Sequence, residues 1–487
     1  MQDYTPSEAT TTTPVDIPSF GGRLDVRWDP RSQVTPWGGL AYFVSYLKTS
    51  GLFDRLVEDA PFHYTSPNAP EVRDVLGRVV CEDSVRRALK SADERELDAW
   101  LARHEKDVFD RLVAYRYVID IDNTVKPVFG HQEGAELGYN PQKPGRPSHN
   151  FHSYFIGSVR ISLGVDVLPG KRHSGICGMP RLWEIIDGLP AGRKPRLLRG
   201  DVGYGGDENM CEAERRGLTC LFKIRRTKTV LSLFRKMEND RDWADAGAGW
   251  EAKASEIALG GWNRPRRGIL LRRPSKDARR PAAATQPRRR GRPKKNAPVL
   301  VQPEFDFVED KVGRCWDCCT LVTNDEKLDA ASLAQVYRDR GDCENNFDEY
   351  KNQYGWGGFV TKDLKPCRAI ARLIAVVANW WNVFCRLADG DRHLEPTTSR
   401  PMYMGVAGRL VTSGRRRLLR LTSTHLKAGE IQSSLMRIGA FMNRISAIAE
   451  QLDFNRTWEL IILAAFRKWL GGNRPSGLLP GPLALIG

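Results

Sequence analysis

The feature that most constrains the fold is a change of hydrophobic period near Tyr115. Before it, from Trp37 to about Arg111, apolar residues recur every three or four positions, which predicts amphipathic helices. After it, strand-like and helix-like segments follow one another. In chain order they are AYRYVIDID, VKPVFG, YFIGSVRISLGVDVLPG, MPRLWEIIDGL, PRLLRGD, GDENMCEAERRG and CLFKIRR. The order strand, strand, strand, helix, strand, helix, strand predicts one α/β sheet with helices packed on it.

This α/β pattern is interrupted between residues 227 and 312. The interruption alternates like strands, and its residues 273–298 are basic, rich in Pro and Ala and without periodicity, so we expect them to be mobile. The pattern then resumes with the strand RCWDCCTLVT, a long helix through Tyr337 and a strongly apolar helix. We predict a flexible tail at 1–35, a helical module at 36–112, a two-part core at 113–226 and 313–388, a β-rich insertion at 227–312, and a helical, basic region at 389–487.

The charge balance indicates the kind of partner. The 487 residues include 75 Lys and Arg against 59 Asp and Glu, a net charge of +16. An excess of this size predicts a polyanionic partner, either a nucleic acid or an anionic membrane. No apolar run approaches the roughly 18–20 residues that a membrane-spanning helix needs, so we expect no membrane. The first 20 residues have neither the basic start nor the apolar block of a secretory signal. We therefore expect a cytoplasmic protein that binds nucleic acid.

Acidic residues lie at the predicted strand ends and on an adjacent helix, where α/β proteins usually have their active sites. Asp120 and Asp122 lie two residues apart in YVIDIDNT, so an extended strand puts both on one face. Asp201 ends the strand LLRGD, and Glu344 lies in the long helix. Mg²⁺ prefers hard oxygen ligands, and a pair of ions can activate a nucleophilic oxygen and stabilise a leaving one. Taken singly, each acid is weak support, because a solvent-facing Asp at a strand end is common.

The helix around Glu344 is more specific. Tyr337, Arg340, Glu344 and Lys351 are separated by 3, 4 and 7 positions, which places all four on one stripe of a continuous helix. Such a stripe suits a phosphodiester, because the carboxylate can hold metal while Arg and Lys bind neighbouring phosphates. The alternative is a solvated charged face, which is common on helices.

These motifs together resemble a known family. Asp122-Asn123-Thr124, RGDVGYG at Asp201 and the YREK spacing of the long helix are similar to bacterial insertion-sequence transposases of the DDE type, in the YREK branch. The segments from Tyr117 to Phe155 and CLFKIRRTK are close to one subgroup of that family. The resemblance implies an RNase H-like catalytic core interrupted by a mostly β insertion, with helical N- and C-terminal regions.

The resemblance also implies a site and a reaction. Asp122, rather than Asp120, would be the first ligand of two Mg²⁺ or Mn²⁺ ions, with Asp201 and Glu344 as the other ligands. The enzyme would cleave insertion-sequence ends and join the 3′-OH to target DNA. Its partners would be double-stranded DNA, as terminal inverted repeats and target, and a second copy on paired ends. It would act on the bacterial nucleoid, and the 36–112 module would bind the DNA ends.

Two basic segments are candidate DNA contacts. The segment PQKPGRPSHNFH carries Lys143, Arg146, His149 and His152 between two core strands, although a plain surface loop is the alternative. The run from Arg288 to Lys295, with Arg290, Arg292 and Lys294, resembles an AT-hook. Both a nonspecific phosphate tether and minor-groove reading remain open for it. Trp243, Trp250 and Trp262 could stack on an unpaired base, but packing within the insertion is the more common role.

Two other functions remain open. A catalytically inactive, truncated transposase would act only as a DNA-binding protein, and the short N-terminal module favours this alternative. An RNase H-like nuclease without strand transfer is a third possibility, which the YREK spacing disfavours. The complete set of acids favours an active transposase.

Overall fold

A computed structural model describes residues 15–19, 22–28, 35–62, 82–141, 143–275, 307–309, 315–359, 361–389, 392–413 and 416–472. The chain divides into two compact units. The first unit comprises Met1–Tyr117, Val159–Val165 and Asn345–Gly487, and the second comprises Val118–Ser158 and Asp166–Glu344.

The strands are, in chain order, β1 Val15–Ser19, β2 Gly22–Trp28, β3 Val118–Pro127, β4 Ser148–Ile156, β5 Ile161–Pro169, β6 Leu197–Gly200, β7 Cys220–Lys223, β8 Ala244–Asp245, β9 Glu251–Ile257, β10 Arg266–Pro274, β11 Phe307–Glu309, β12 Cys315–Thr323, β13 Gly408–Ser413 and β14 Arg416–Leu421.

The α-helices are Leu40–Ser50, Leu52–Glu58, Glu82–Ser91, Glu94–Leu112, Ser174–Cys177, Met179–Asp187, Asp207–Arg215, Lys228–Lys236, Ala330–Arg338, Gly341–Asp348, Leu364–Ala388, Pro396–Tyr403, Ala428–Ala447, Phe454–Ala465 and Arg467–Gly472. A π-helical turn covers Glu349–Gln353.

The second unit is built on one large mixed sheet. Its strand order is β5-β4-β3-β6-β7-β12-β10-β9-β8, with β11 on β12, and residues 166–169 of β5 belong to this unit. β3 pairs antiparallel with β4 and parallel with β6, and β6 pairs parallel with β7. The insertion strands β9 and β10 join this sheet through β12. The predicted β-rich insertion therefore widens the α/β sheet.

One helix of the second unit packs on this sheet, mainly over β8, β9 and β10. Helix Ala330–Arg338 is capped at its N-terminus by Asp329, whose carboxylate accepts a hydrogen bond from the Ser332 backbone N–H at 2.7 Å. Its buried Leu333 and Ala334 pack in an apolar cluster with side chains from the neighbouring strands. The strand members of that cluster are Leu197, Leu221, Ala252, Ile269, Leu271 and Leu321. Burying this apolar surface fixes the helix end beside β3 and β6.

The first unit combines helices with a smaller sheet of order β1-β2-β14-β13. Its central helix, Leu364–Ala388, is mostly buried and packs with Glu94–Leu112, Ala428–Ala447 and Phe454–Ala465. This helix is long and apolar enough to cross a membrane, but 72% of its most apolar stretch is buried inside the fold. Core packing accounts for its hydrophobic character.

Three sequence predictions differ from these elements. The predicted flexible tail at 1–35 contains β1 and β2, and the region predicted as helical at 389–487 contains β13 and β14. The long helix is not continuous, because it ends at Arg338 and a new helix begins at Gly341. The antiparallel pairs β1–β2 and β13–β14 form one sheet through the parallel pairing of β2 with β14. A pairing between opposite ends of the chain is not visible in local sequence patterns.

Candidate active site

Asp122 and Asp201 come from neighbouring parallel strands. In the β3–β6 register Ile121 lies opposite Gly200, so the next residue of each chain segment is one of the two acids. Burial raises the pKa of Asp122, the Arg340 guanidinium beside it lowers it, and the negative charge of Asp201 raises it further. The two carboxylates therefore lie near each other where β3 and β6, two inner strands of the sheet, end.

Arg340 contacts Asp122 directly. Its Nη1 lies 2.7 Å from Asp122 Oδ2, and the two side chains are only 8% and 13% exposed. The backbone N–H of Asn123 donates to Asp122 Oδ1 at 2.8 Å. Burial alone would lower the pKa of Arg340, but the charge of Asp122 keeps it above its usual range. Sequence reasoning assigned Arg340 to a phosphate, whereas in this structure its guanidinium is a buried counter-ion of Asp122.

Asp201 is more open, with 42% of its side chain exposed. The Tyr337 hydroxyl lies 3.5 Å from Asp201 Oδ1, and Lys223 Nζ lies 3.9 Å from the same oxygen. Burial raises the pKa of the Tyr337 phenol, so it stays a hydrogen-bond donor at neutral pH. Lys223 is the last residue of β7, the strand that pairs in parallel with β6. It is not among the site residues that the sequence predicts. The sequence signals for it were the basic end of CLFKIRR and the resemblance of CLFKIRRTK to the family.

The predicted stripe is divided between several elements. Tyr337 lies in helix Ala330–Arg338, and Arg340 lies in the turn after it. Glu344 lies in helix Gly341–Asp348, but its side chain is outside what the structure describes. Lys351 lies in the partly buried π-helical turn. The prediction of one continuous stripe is therefore wrong. Among the described side chains, no three His, Cys, Asp or Glu groups form a metal-binding cluster.

Residues 115–380 match the family model described as "Transposase DDE domain". The chain belongs to this family. Membership implies a nuclease or transposase activity. A solved structure of a piggyBac transposase in a synaptic complex with hairpin DNA is also similar, at 10% identity, covering 90% of this chain and 78% of that chain with a TM-score of 0.33. A search of curated proteins found no match.

Asp120, the other acid of the motif YVIDIDNT, has a structural role in this DDE domain. Asp120 is fully buried and accepts two hydrogen bonds from Arg199, from Nε at 2.6 Å and Nη2 at 2.8 Å. Arg199 Nη1 also donates to the backbone carbonyl of Val336. Arg199 thus links β3 and β6 to the end of the helix that carries Tyr337. Sequence reasoning missed this residue, although it stands two positions before Asp201.

The predicted DNA loop of the DDE domain is only partly on the surface. Lys143 and Arg146 are exposed. His149 is buried in β4 with Nε2 2.8 Å from the Glu133 carbonyl oxygen, and burial lowers its pKa. His152 is fully buried, which lowers its pKa to about 4. Both imidazoles are therefore buried and neutral at pH 7 in this structure, where neither presents a surface to DNA, and the predicted DNA contact of this loop depends on Lys143 and Arg146.

The remaining candidates divide between packed and undescribed residues. Trp243 stacks on Phe234 with ring centroids 6.3 Å apart, and the Arg272 guanidinium lies 3.9 Å from the centre of its ring. Trp250 packs under Arg273 in the same way. Packing therefore accounts for these two side chains, and Trp262 is partly buried. Arg290, Arg292 and Lys294 lie outside the described residues.

Proposed function

We propose that this chain is an insertion-sequence transposase of the YREK branch, which cleaves DNA at the element ends and joins the freed 3′-OH to target DNA. The supporting observation is that Asp122 and Asp201 each directly follow the paired residues Ile121 and Gly200 of two parallel strands inside the family match. Tyr337 and Arg340, two members of the predicted signature, each contact one of these acids. The proposed setting is the bacterial cytoplasm, with a dimer on paired DNA ends.

We also infer an RNase H-like core. In support, β3, β4 and β5 follow one another at one end of the sheet, and β6 and β7 continue it in parallel on the other side of β3. This order puts the ends of β3 and β6 at the centre of the sheet. Two acids there can reach one phosphodiester.

The donor set fits divalent metal ions. Carboxylate oxygens are the ligands Mg²⁺ prefers, and a cation would relieve the repulsion between Asp122 and Asp201. We propose that these two acids and Glu344 hold Mg²⁺ or Mn²⁺. When bound, such ions activate an attacking oxygen and stabilise a leaving one.

The protein groups have separate tasks in this proposal. Arg340 favours the ionised form of Asp122, which a cation requires. Tyr337 donates to Asp201 and orients its carboxylate, while partly exposed Lys223 is placed to bind a phosphate oxygen. Water and then the DNA 3′-OH would be the successive nucleophiles at phosphorus.

Conservative substitutions test the site. Asp122→Asn, Asp201→Asn and Glu344→Gln should each abolish cleavage of a duplex that carries the inverted repeats flanking the gene, while DNA binding is retained. Glu208→Gln is the matched control, because it removes an exposed acid of the same unit outside the proposed site. Thermal unfolding of each variant separates loss of chemistry from loss of fold. Full cleavage by any of the three site variants would remove that residue from the site.

Two further measurements decide between the open functions. Cleavage should require Mg²⁺ or Mn²⁺ and fail with Ca²⁺, whose coordination is larger and less regular. Cleavage in EDTA would refute the metal proposal. Absence of cleavage by the intact chain, with retained DNA binding, would favour the inactive DNA-binding protein. Cleavage without joining to a target duplex would favour a simple nuclease.

A further inference from the structure

The loop between β3 and β4 exposes large apolar side chains in the second unit. Phe129 is 67% exposed, Leu137 63% and Tyr139 81%. All three side chains belong to one short loop, and a group of exposed apolar side chains rimmed by polar residues is typical of an interaction site. We call these three residues, together with Lys143 and Arg146, the Phe129 surface.

The two cations of the Phe129 surface are held at its aromatic ring. Lys143 Nζ lies 4.9 Å and the Arg146 guanidinium carbon 4.5 Å from the centre of the Phe129 ring. Neither cation has a carboxylate within salt-bridge distance among the described residues. The surface therefore combines apolar area with two positive charges that no described acid neutralises.

The loop that carries this surface is firmly built. Asn140 is buried, donates to the Arg146 carbonyl at 3.3 Å and accepts from the Lys143 backbone N–H at 3.0 Å. At Gly138 a Cβ atom would clash with the Gly170 carbonyl oxygen, so only glycine permits this approach. Asn140 and Gly138 thus hold the described backbone around Lys143 and Arg146, and holding a binding surface in advance lowers the entropic cost of binding.

The position of the surface suits a nucleic acid that also reaches Asp122. Phe129 follows Asp122 by seven residues along and just beyond β3, which is roughly 20 Å at the usual rise of a strand. With 3.4 Å per base pair, that distance corresponds to roughly six base pairs of a duplex. The net charge of +16 favours a polyanion as the partner.

We propose that the Phe129 surface binds duplex DNA flanking the cleaved bond, with Lys143 and Arg146 on phosphates and Phe129 and Tyr139 against deoxyribose and base edges. This inference rests on the proposed function and deepens it, because it adds an apolar contact to the basic loop. A contact of this kind would fix the duplex while Asp122 and Asp201 act on the phosphodiester.

Binding of the full-length chain to a blunt duplex tests the proposal, measured by fluorescence anisotropy in EDTA over a range of salt concentrations. The double variant Phe129→Ala/Tyr139→Ala should bind about tenfold more weakly, because two large aromatic side chains no longer bury apolar area against the duplex. Its salt slope should stay unchanged, since no charge is removed. Lys143→Ala/Arg146→Ala should instead lower the salt slope by about 0.9 for each phosphate that the variant no longer neutralises.

Matched controls decide whether the effects are specific to this surface. Arg235→Ala/Lys236→Ala removes two exposed cations from another part of the same unit, and Ile176→Ala removes a side chain that is 67% exposed. Both control proteins should bind DNA like the intact chain. Equal losses of affinity in the controls, or unchanged affinity of Phe129→Ala/Tyr139→Ala, would overturn the proposal.

Cleavage and binding assays on the same proteins distinguish failure of the Phe129 surface proposal from failure of the proposed transposase function. If the intact chain cleaves DNA and the surface variants bind normally, only the Phe129 surface is refuted. If the intact chain does not cleave but the surface variants bind more weakly, the DNA-binding surface stands without the transposase activity. If Phe129→Ala/Tyr139→Ala lowers self-association in sedimentation and leaves DNA affinity unchanged, the surface binds a second copy and the DNA proposal is wrong.

Discussion

Two aspartates on one strand face have different surroundings and therefore different chemistry. Asp120 is fully buried and held by two hydrogen bonds from Arg199. Asp122, two residues later, retains some exposure, pairs with Arg340 through one of its oxygens and lies near Asp201. Both carboxylates accept protein hydrogen bonds, but only Asp122 combines some exposure with a second acid beside it, so Asp122 is the one placed to bind a ligand. The positions of Asp120 and Asp122 on one strand face do not show which of the two can bind a ligand.

The Asp120–Arg199 pair gives a stability prediction. Asp120→Asn should lower the free energy of unfolding by about 3–5 kcal/mol, because it leaves the Arg199 guanidinium buried without its counter-charge. Urea unfolding of the variant measures the loss. Asp120→Asn/Arg199→Met should be more stable than the single variant, since the uncompensated charge is gone. A single variant as stable as the intact chain would contradict the structural role of this pair.

Sequence reasoning reached the candidate acids but not their partners. Asp122 and Asp201 stand in short motifs at strand ends, and such motifs are visible locally. The ion pairs join Arg199 to a residue 79 positions away and Arg340 to one 218 positions away. Pairs of that separation depend on the register of β3 with β6 and on the helix packed over them. The spacing of residues in one sequence reveals neither the strand register nor the packing of the helix.

At the scale of elements, tertiary contacts override a helical pattern. The sequence is periodic through Arg338, Asp339 and Arg340, yet the chain makes a turn there before Gly341. Arg338 Nη2 donates to the Ala246 carbonyl oxygen, and Arg340 reaches Asp122. Glycine weakens a helix interior by about 1 kcal/mol, so Gly341 lowers the cost of a turn at which these two contacts form. Gly341 was the one local signal of a break.

A buried histidine in β4 gives a pH prediction. His152 is fully buried with Nδ1 3.3 Å from the Tyr204 hydroxyl, and burial lowers its pKa from 6.5 to about 4. Below pH 6.5 the unfolded chain binds a proton at His152 that the folded chain does not bind. Stability should therefore fall as the pH drops from 6.5 towards 4, by roughly 3 kcal/mol for this group.

The variant His152→Phe isolates that contribution. Other groups titrate in the same range, so the difference in unfolding free energy between the intact chain and the variant should be followed by urea unfolding at each pH. The lost hydrogen bond to Tyr204 lowers the stability of the variant at neutral pH, and the stability advantage of the intact chain should shrink as the pH falls. A difference that does not depend on pH would mean that His152 binds its proton as readily in the folded chain as in the unfolded chain.

At the scale of the whole molecule, the family match and the two units divide the chain differently. The match covers residues 115–380, which includes all of the second unit and part of the first. Residues 1–114 and 381–487 lie outside it, and they include β1, β2, β13 and β14 of the smaller sheet. The family therefore accounts for the sheet with Asp122 and Asp201. The DNA-end-binding role of the 36–112 module stays a prediction.

The basic run from Arg288 to Lys295 gives the last prediction. Its deletion removes six positive charges, and the run lies outside both the described residues and the proposed site. If the run binds phosphates, the salt slope of DNA binding should fall by about 0.9 for each phosphate it neutralises, while cleavage at saturating DNA changes little. Replacing the same eight residues by a Gly/Ser segment of equal length controls for the shortened connection.

A loss of affinity that is greater on A·T-rich than on G·C-rich duplex would indicate minor-groove reading, because the narrow groove of A-tracts attracts arginine. Equal weakening on both duplexes would indicate a tether, and an unchanged slope would mean that the run does not bind DNA.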